Sequence, residues 1–125
     1  MKEVFKPIEY EGKTYNICFN LNVMEVIQEE YGTLDHWGDI TDGKAIDPKT
    51  KKPKNEIDVK ALIFGFREML NEAIEIENEK NGTNEPLLTR KQAGRIISAL
   101  GMENVTDTMN DLVIESSGSS EEKNG

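Results

Sequence analysis

Three groups of side chains in this sequence have the types that chemistry needs. Glu68, Glu72 and Glu75, with the adjacent pair Glu29–Glu30, invite an acid–base reading. The stretch "LDHWGDITD" gathers Asp35, His36, Asp39 and Asp42, oxygen and imidazole donors of the kind that metals take. "KTKKPK", residues 49–54, places four lysines in six positions of a chain whose formal charge is −9. Lysine clusters neutralise phosphates in nucleic-acid complexes.

Spacing argues against all three. A catalytic acid and base face each other across a cleft, in environments that push their pKa values apart. Neighbouring glutamates on the solvent face of a helix do neither. The chain has no glycine-rich phosphate loop, no GxSxG and no HExxH. The expectation is a protein that is not an enzyme, with no catalytic or cofactor-binding residues. The run from Asp35 to Asp42 lacks the alternating oxygens and twelfth-position glutamate of a calcium loop. No cysteine–histidine spacing resembles a zinc site either, so no metal is expected. His36 reads as a surface residue beside Trp37. Cys18, the single cysteine, excludes an internal disulfide and reads as a small buried hydrophobe. The lysine cluster contains no arginine and no aromatic to stack a base. An excess of 24 acidic over 15 basic residues also repels a polyanion. The cluster therefore reads as a solvated loop tip, and nucleic acid is not an expected partner.

The elements that carry these residues follow from periodicity and caps. "VFKPIEY" and "TYNICFNL" flank "EGK" and form an N-terminal β-hairpin, with Gly12 free to take the positive φ of a tight turn. Tyr15, Ile17 and Phe19 alternate with polar neighbours, and Pro7 makes the first strand an edge or delays its start to Ile8. A helix capped by Asn20 or Asn22 follows and stops at Gly32. "TLDHWGDI" reads as a short helical turn opened by Thr33, with Leu34 and Trp37 inward. Residues 41–57 form a long loop or an extra hairpin with "DPKTKKPK" at its tip. Asp58 caps the longest helix, about 59–80, whose stripe runs Val59, Leu62, Ile63, Phe66, Met69, Leu70, Ala73 and Ile74. Thr89 caps the helix "RKQAGRIISAL", and a last helix runs from about Glu103 to Glu115. The fold class is α+β: a hairpin and about four helices in one globular domain over 1–115. "SSGSSEEKNG", residues 116–125, has no apolar residue and is expected to be a disordered acidic tail.

One residue breaks the pattern. At about 100° per residue, Phe64 lies about 140° from Val59, well off the stripe. Either the hairpin covers it through Tyr15, Ile17 and Phe19, or it is exposed and forms a partner-binding patch with Trp37 or Met69. No segment approaches the roughly 18 uninterrupted apolar residues of a membrane helix. The N-terminus carries no apolar run of signal-peptide length. A cytoplasmic location is expected.

The order of elements resembles the tail assembly chaperones of long-tailed bacteriophages and prophages of Gram-positive bacteria. The resemblance covers roughly residues 5–113. It rests on "FKPIEYEGKTYNICFNLNVMEVIQEEYG", where a hairpin passes straight into a helix with an acidic end and a terminal glycine. It continues through "TLDHWGDI", a variable loop, the helix opening "DVKALIFGFREML", and the closing pair "LTRKQAGRIISALG" and "ENVTDTMNDLV". The loop "TDGKAIDPKTKKPKNEI" and Pro7 depart from that pattern. The resemblance implies a non-enzymatic role: binding a long helical tape-measure protein in the host bacterial cytoplasm before the tail tube forms, with the chaperone absent from the finished particle. Self-association stays open. The competing reading is an acidic protein-binding regulator, or DNA-mimic inhibitor of a nucleic-acid enzyme, acting through carboxylate rows on its helices.

Overall fold

The computed structural model describes residues 1–42, 46–52 and 56–122, with side chains through Ser117. Strands β1 (Phe5–Tyr10) and β2 (Lys13–Cys18) pair antiparallel, from Phe5 opposite Cys18 to Tyr10 opposite Lys13. The two-residue turn has positive φ at both Glu11 (51°) and Gly12 (74°). That combination matches the right-handed strand twist, and glycine adopts it without a Cβ clash. Pro7 sits within β1 and is exposed, as a strand with no second neighbour allows.

Five helices follow: α1 (Leu21–Tyr31), α2 (Leu34–Asp42), α3 (Val59–Asn81), α4 (Arg90–Leu100) and α5 (Met102–Glu122). Their starts obey capping chemistry. Asn20 Oδ1 accepts from Val23 N, Asp58 Oδ1 from Ala61 N, and Thr89 Oγ1 from Gln92 N in a reciprocal capping box. Gly32, Gly82 and Gly101, all at positive φ, end α1, α3 and α4.

Helix α3 is the hub, touching β2 and all four other helices. Leu62, Phe66, Met69, Leu70 and Ala73 are fully buried along it. Facing them are Ile17 and Phe19 from the hairpin end, Val23 and Ile27 of α1, Trp37 of α2, Ile96 of α4, and Met109 and Leu112 of α5. Fully burying a large apolar side chain is worth about 1.5–3 kcal/mol, so this cluster supplies the main driving force. The indole of Trp37 lies against Gly65, where a Cβ would overlap the ring, and Trp37 Nε1 donates to Ala61 O at 3.0 Å.

Two asparagines strap the α3–α4 connector to α3. Asn71 accepts from Leu88 N (2.8 Å) and donates to Leu88 O (3.0 Å). Two turns later Asn78 makes the same exchange with Glu85 (2.9 and 3.0 Å). Each side-chain amide imitates a strand peptide and satisfies a connector that has no strand of its own.

Several expectations need correction. The short helical turn is a nine-residue helix, α2, so five helices are described. Val59 is 49% exposed, not inward. Of the extra hairpin in 41–57, the described residues show a turn over Pro48–Thr50 and a single bridge residue, Ile46. Around that turn, Asp47 N donates to Lys52 O (2.9 Å). Residues 43–45 and 53–55 lie outside the described residues. The bond from Asp58 N to Ile40 O (2.8 Å) shows that the whole segment leaves and returns at one point. At the other end, α5 does not stop at Glu115. Ser116 is buried inside it, and Ser116 O accepts from Lys2 N at 2.8 Å. The expected break therefore falls too early, because a small serine can pack where a composition argument sees only polarity. Residues 123–125 lie outside the described residues.

Candidate functional site

Of the three residues expected to meet a partner, the fold buries two. Trp37 is 2% exposed and Met69 fully buried, so neither offers surface to another molecule. Both belong to the core: Met69 lies on the inward stripe of α3, and the glycine at position 65 admits the indole. Phe64 is half-buried and meets Tyr31 of α1 edge-on, with ring centroids 5.5 Å apart. Its ring partner is Tyr31 of α1, whereas the hairpin is bonded to α3 farther along, through Asn16 and Glu77. A patch of Phe64 with Trp37 or Met69 does not form.

The reactive-looking groups have structural work. Glu72 Oε2 accepts from both Asn20 Nδ2 (2.8 Å) and Asn22 Nδ2 (3.0 Å), and Glu77 Oε2 from Asn16 Nδ2 (2.6 Å). The acidic face of α3 thus pins the hairpin and the start of α1. Burial holds the Glu68 carboxyl above the usual range, with Arg67 opposing and Glu72 and Glu75 reinforcing. Cys18 is buried, and desolvation, then Glu72, Glu3 and Glu77, push its thiol up to about 12. A thiol so protonated is a poor nucleophile near neutral pH. Among the described residues, no three histidine, cysteine or carboxylate side chains lie close enough to share a metal ion. Lys49, Lys51 and Lys52 are exposed around the turn at Pro48–Thr50; Lys54 lies outside the described residues.

A different surface carries an open, largely apolar depression. A cleft of about 750 Å³ runs between the first turns of α3 and the length of α4. Val59 and Ile63, one turn apart on α3, form one wall. Lys91, Gly94, Arg95 and Ser98 of α4 form the other, Met102 lies at the start of α5, and Tyr10 comes from the hairpin tip. Val59 and Met102 are 49% and 42% exposed, the kind of apolar exposure that marks an interaction surface when it is contiguous. Gly94 keeps the floor low: a Cβ there would meet only Ile63 Cδ1, at 3.6 Å. Sequence reasoning missed this surface because it placed Val59 in the core. The one available signal was a helix, "RKQAGRIISAL", with three cations and no carboxylate in a strongly acidic chain.

Among the described residues, no helix is long and apolar enough to cross a membrane. No protein-family model, no curated protein and no solved structure matches the chain.

Proposed function

We propose that the chain is a non-enzymatic tail assembly chaperone that binds a long helical tape-measure protein during phage tail morphogenesis. The observation that carries this reading is the apolar cleft between α3 and α4, in which no element of the described residues is seated. It stands on a fold whose order, a hairpin passing directly into a capped helix and then a long central helix, is the order on which the family resemblance rests. A tape-measure chain exposes apolar stripes until the tube encloses it, and helix-in-groove recognition buries such stripes through anchors at helical spacing. The net charge of −9 keeps such a chaperone dispersed while it carries an apolar client. Of the candidate acid–base groups, Glu72 is engaged in holding Asn20 and Asn22 at the start of α1, which favours a binding role over catalysis.

The DNA-mimic reading draws on one feature of α5. Glu103, Asp107, Asp111 and Glu115 recur every four residues and are exposed. However, Glu115 pairs with Lys6 at 2.9 Å, and the row lies on a helix whose neighbour α4 is basic. That mixture suits a duplex mimic poorly.

Co-expression tests the proposal. The tape-measure protein of the same phage or prophage should be insoluble alone and should co-purify with this chain when both are made together. A tape-measure protein that stays insoluble in its presence, while the chain itself is folded and abundant, overturns the reading.

A further inference from the structure

We infer that the α3–α4 cleft takes an amphipathic helix whose apolar stripe is flanked by carboxylates. The inference relies on the tape-measure reading only for the partner's identity; the chemistry comes from the cleft. Two observations fix that chemistry. The first is size. A helix about 10 Å across with a 5.4 Å pitch fills about 400 Å³ per turn. The 750 Å³ of the cleft therefore corresponds to the buried half of nearly four turns. Helix α4, with 11 residues, is about 16 Å long, about three turns, so a helix lying along it would be covered for most of that length.

The second is charge. Among the described residues, no acidic side chain lines the cleft, whereas Lys91 and Arg95 both do. They are four residues apart on α4 and so share a face. Neither makes an ion pair or hydrogen bond among the described residues. Unpaired cations beside an apolar floor attract carboxylates at the edges of an incoming stripe. They also repel a stripe edged by lysine, as is needed for discrimination. A second copy of this chain is a poorer occupant. Its most acidic helix, α5, exposes Ile114 among its acids but no further large apolar side chain one or two turns away on that face, where a seated helix needs several anchors.

Two synthetic 18-residue helical peptides test this, with the same leucine stripe and flanks of glutamate in one and lysine in the other. Each is titrated into the full chain and followed by fluorescence anisotropy. The glutamate peptide should bind at least tenfold more tightly, against the pull of a −9 chain that favours the lysine peptide non-specifically. Lys91→Glu with Arg95→Glu, both exposed positions, should invert the preference. Gly94→Trp should block both peptides, while Gly94→Ala, which makes only ordinary contact, should not. Equal binding of the two peptides, binding of neither, a preference untouched by the charge reversal, or a dimer that Gly94→Trp dissociates would each overturn the inference. Peptide binding at the cleft with no capture of a tape-measure protein would sink the chaperone reading and leave the cleft standing. Capture of a tape-measure protein equally by wild type and Gly94→Trp would do the reverse.

Discussion

Gly65→Ala is a one-methyl change with a large expected cost. Helix α3 presents Gly65 to the face of Trp37, and a Cβ at that position would overlap the indole ring. Neither side can yield easily. Trp37 is held by its bond to Ala61 O and buried on all sides, and Gly65 is in the middle of a helix that touches every other helix. Overpacking of this kind costs about 1–3 kcal/mol. Displacing the indole also strands its N–H, a buried donor worth about 1–3 kcal/mol when left unmade. Replacing a mid-helix glycine returns up to about 1 kcal/mol. The net is a loss of about 3 kcal/mol, or roughly 10 °C in Tm for a chain this size. Urea denaturation followed by circular dichroism measures it, and the single tryptophan reports locally, since its emission should move to the red. Trp37→Phe should cost stability alone yet lessen the penalty of Gly65→Ala, a coupling that a double-mutant cycle reads directly. A Gly65→Ala protein as stable as wild type, with unchanged emission, would refute the packing argument.

Three further outcomes follow from the same structure. Phe64→Ala should cost about 1–2 kcal/mol, less than the 3–5 kcal/mol of a fully buried aromatic, because Phe64 is half-buried and its specific partner is the edge of Tyr31; chemical denaturation of Phe64→Ala and Tyr31→Ala checks it. Truncation after Ser117 should leave Tm nearly unchanged, whereas truncation after Glu115 should cost about 1 kcal/mol more by removing buried Ser116 and its bond from Lys2 N; thermal melts of the two chains separate these. Cys18 should resist a thiol reagent at pH 8 until the protein unfolds. Its folded pKa of about 12 stands above the ordinary 9.0, so the stability it contributes is whole below pH 9 and is lost as pH rises from 9 toward 12. Rapid labelling of the native protein would contradict its burial.

The features legible in the sequence were those decided locally. Asn20, Asp58 and Thr89 cap helices because a side-chain oxygen reaches an amide three residues on. Gly12 marks the hairpin turn for a reason confined to its own backbone. What was not legible depends on residues far apart in the chain. Nothing local to Gly65 tells that it makes room for Trp37, 28 positions earlier, whose Nε1 donates to Ala61 O. Glu72 reads as part of a solvated row until Asn20 and Asn22 are brought onto it. Val59 fits the helical stripe by angle, but α3 extends past its cover at that end, and a residue with the right phase is left facing the cleft. Periodicity gives the face of a helix and is silent on how far along the helix the core reaches.

Hydrogen exchange on the chain, alone and saturated with the tape-measure protein of its phage or prophage, tests the central claim most directly. The account predicts slowed exchange across α4, the first turns of α3 and the Tyr10 end of the hairpin, with α5 little changed. A spectrum of exchange rates identical with and without the tape-measure protein would contradict it.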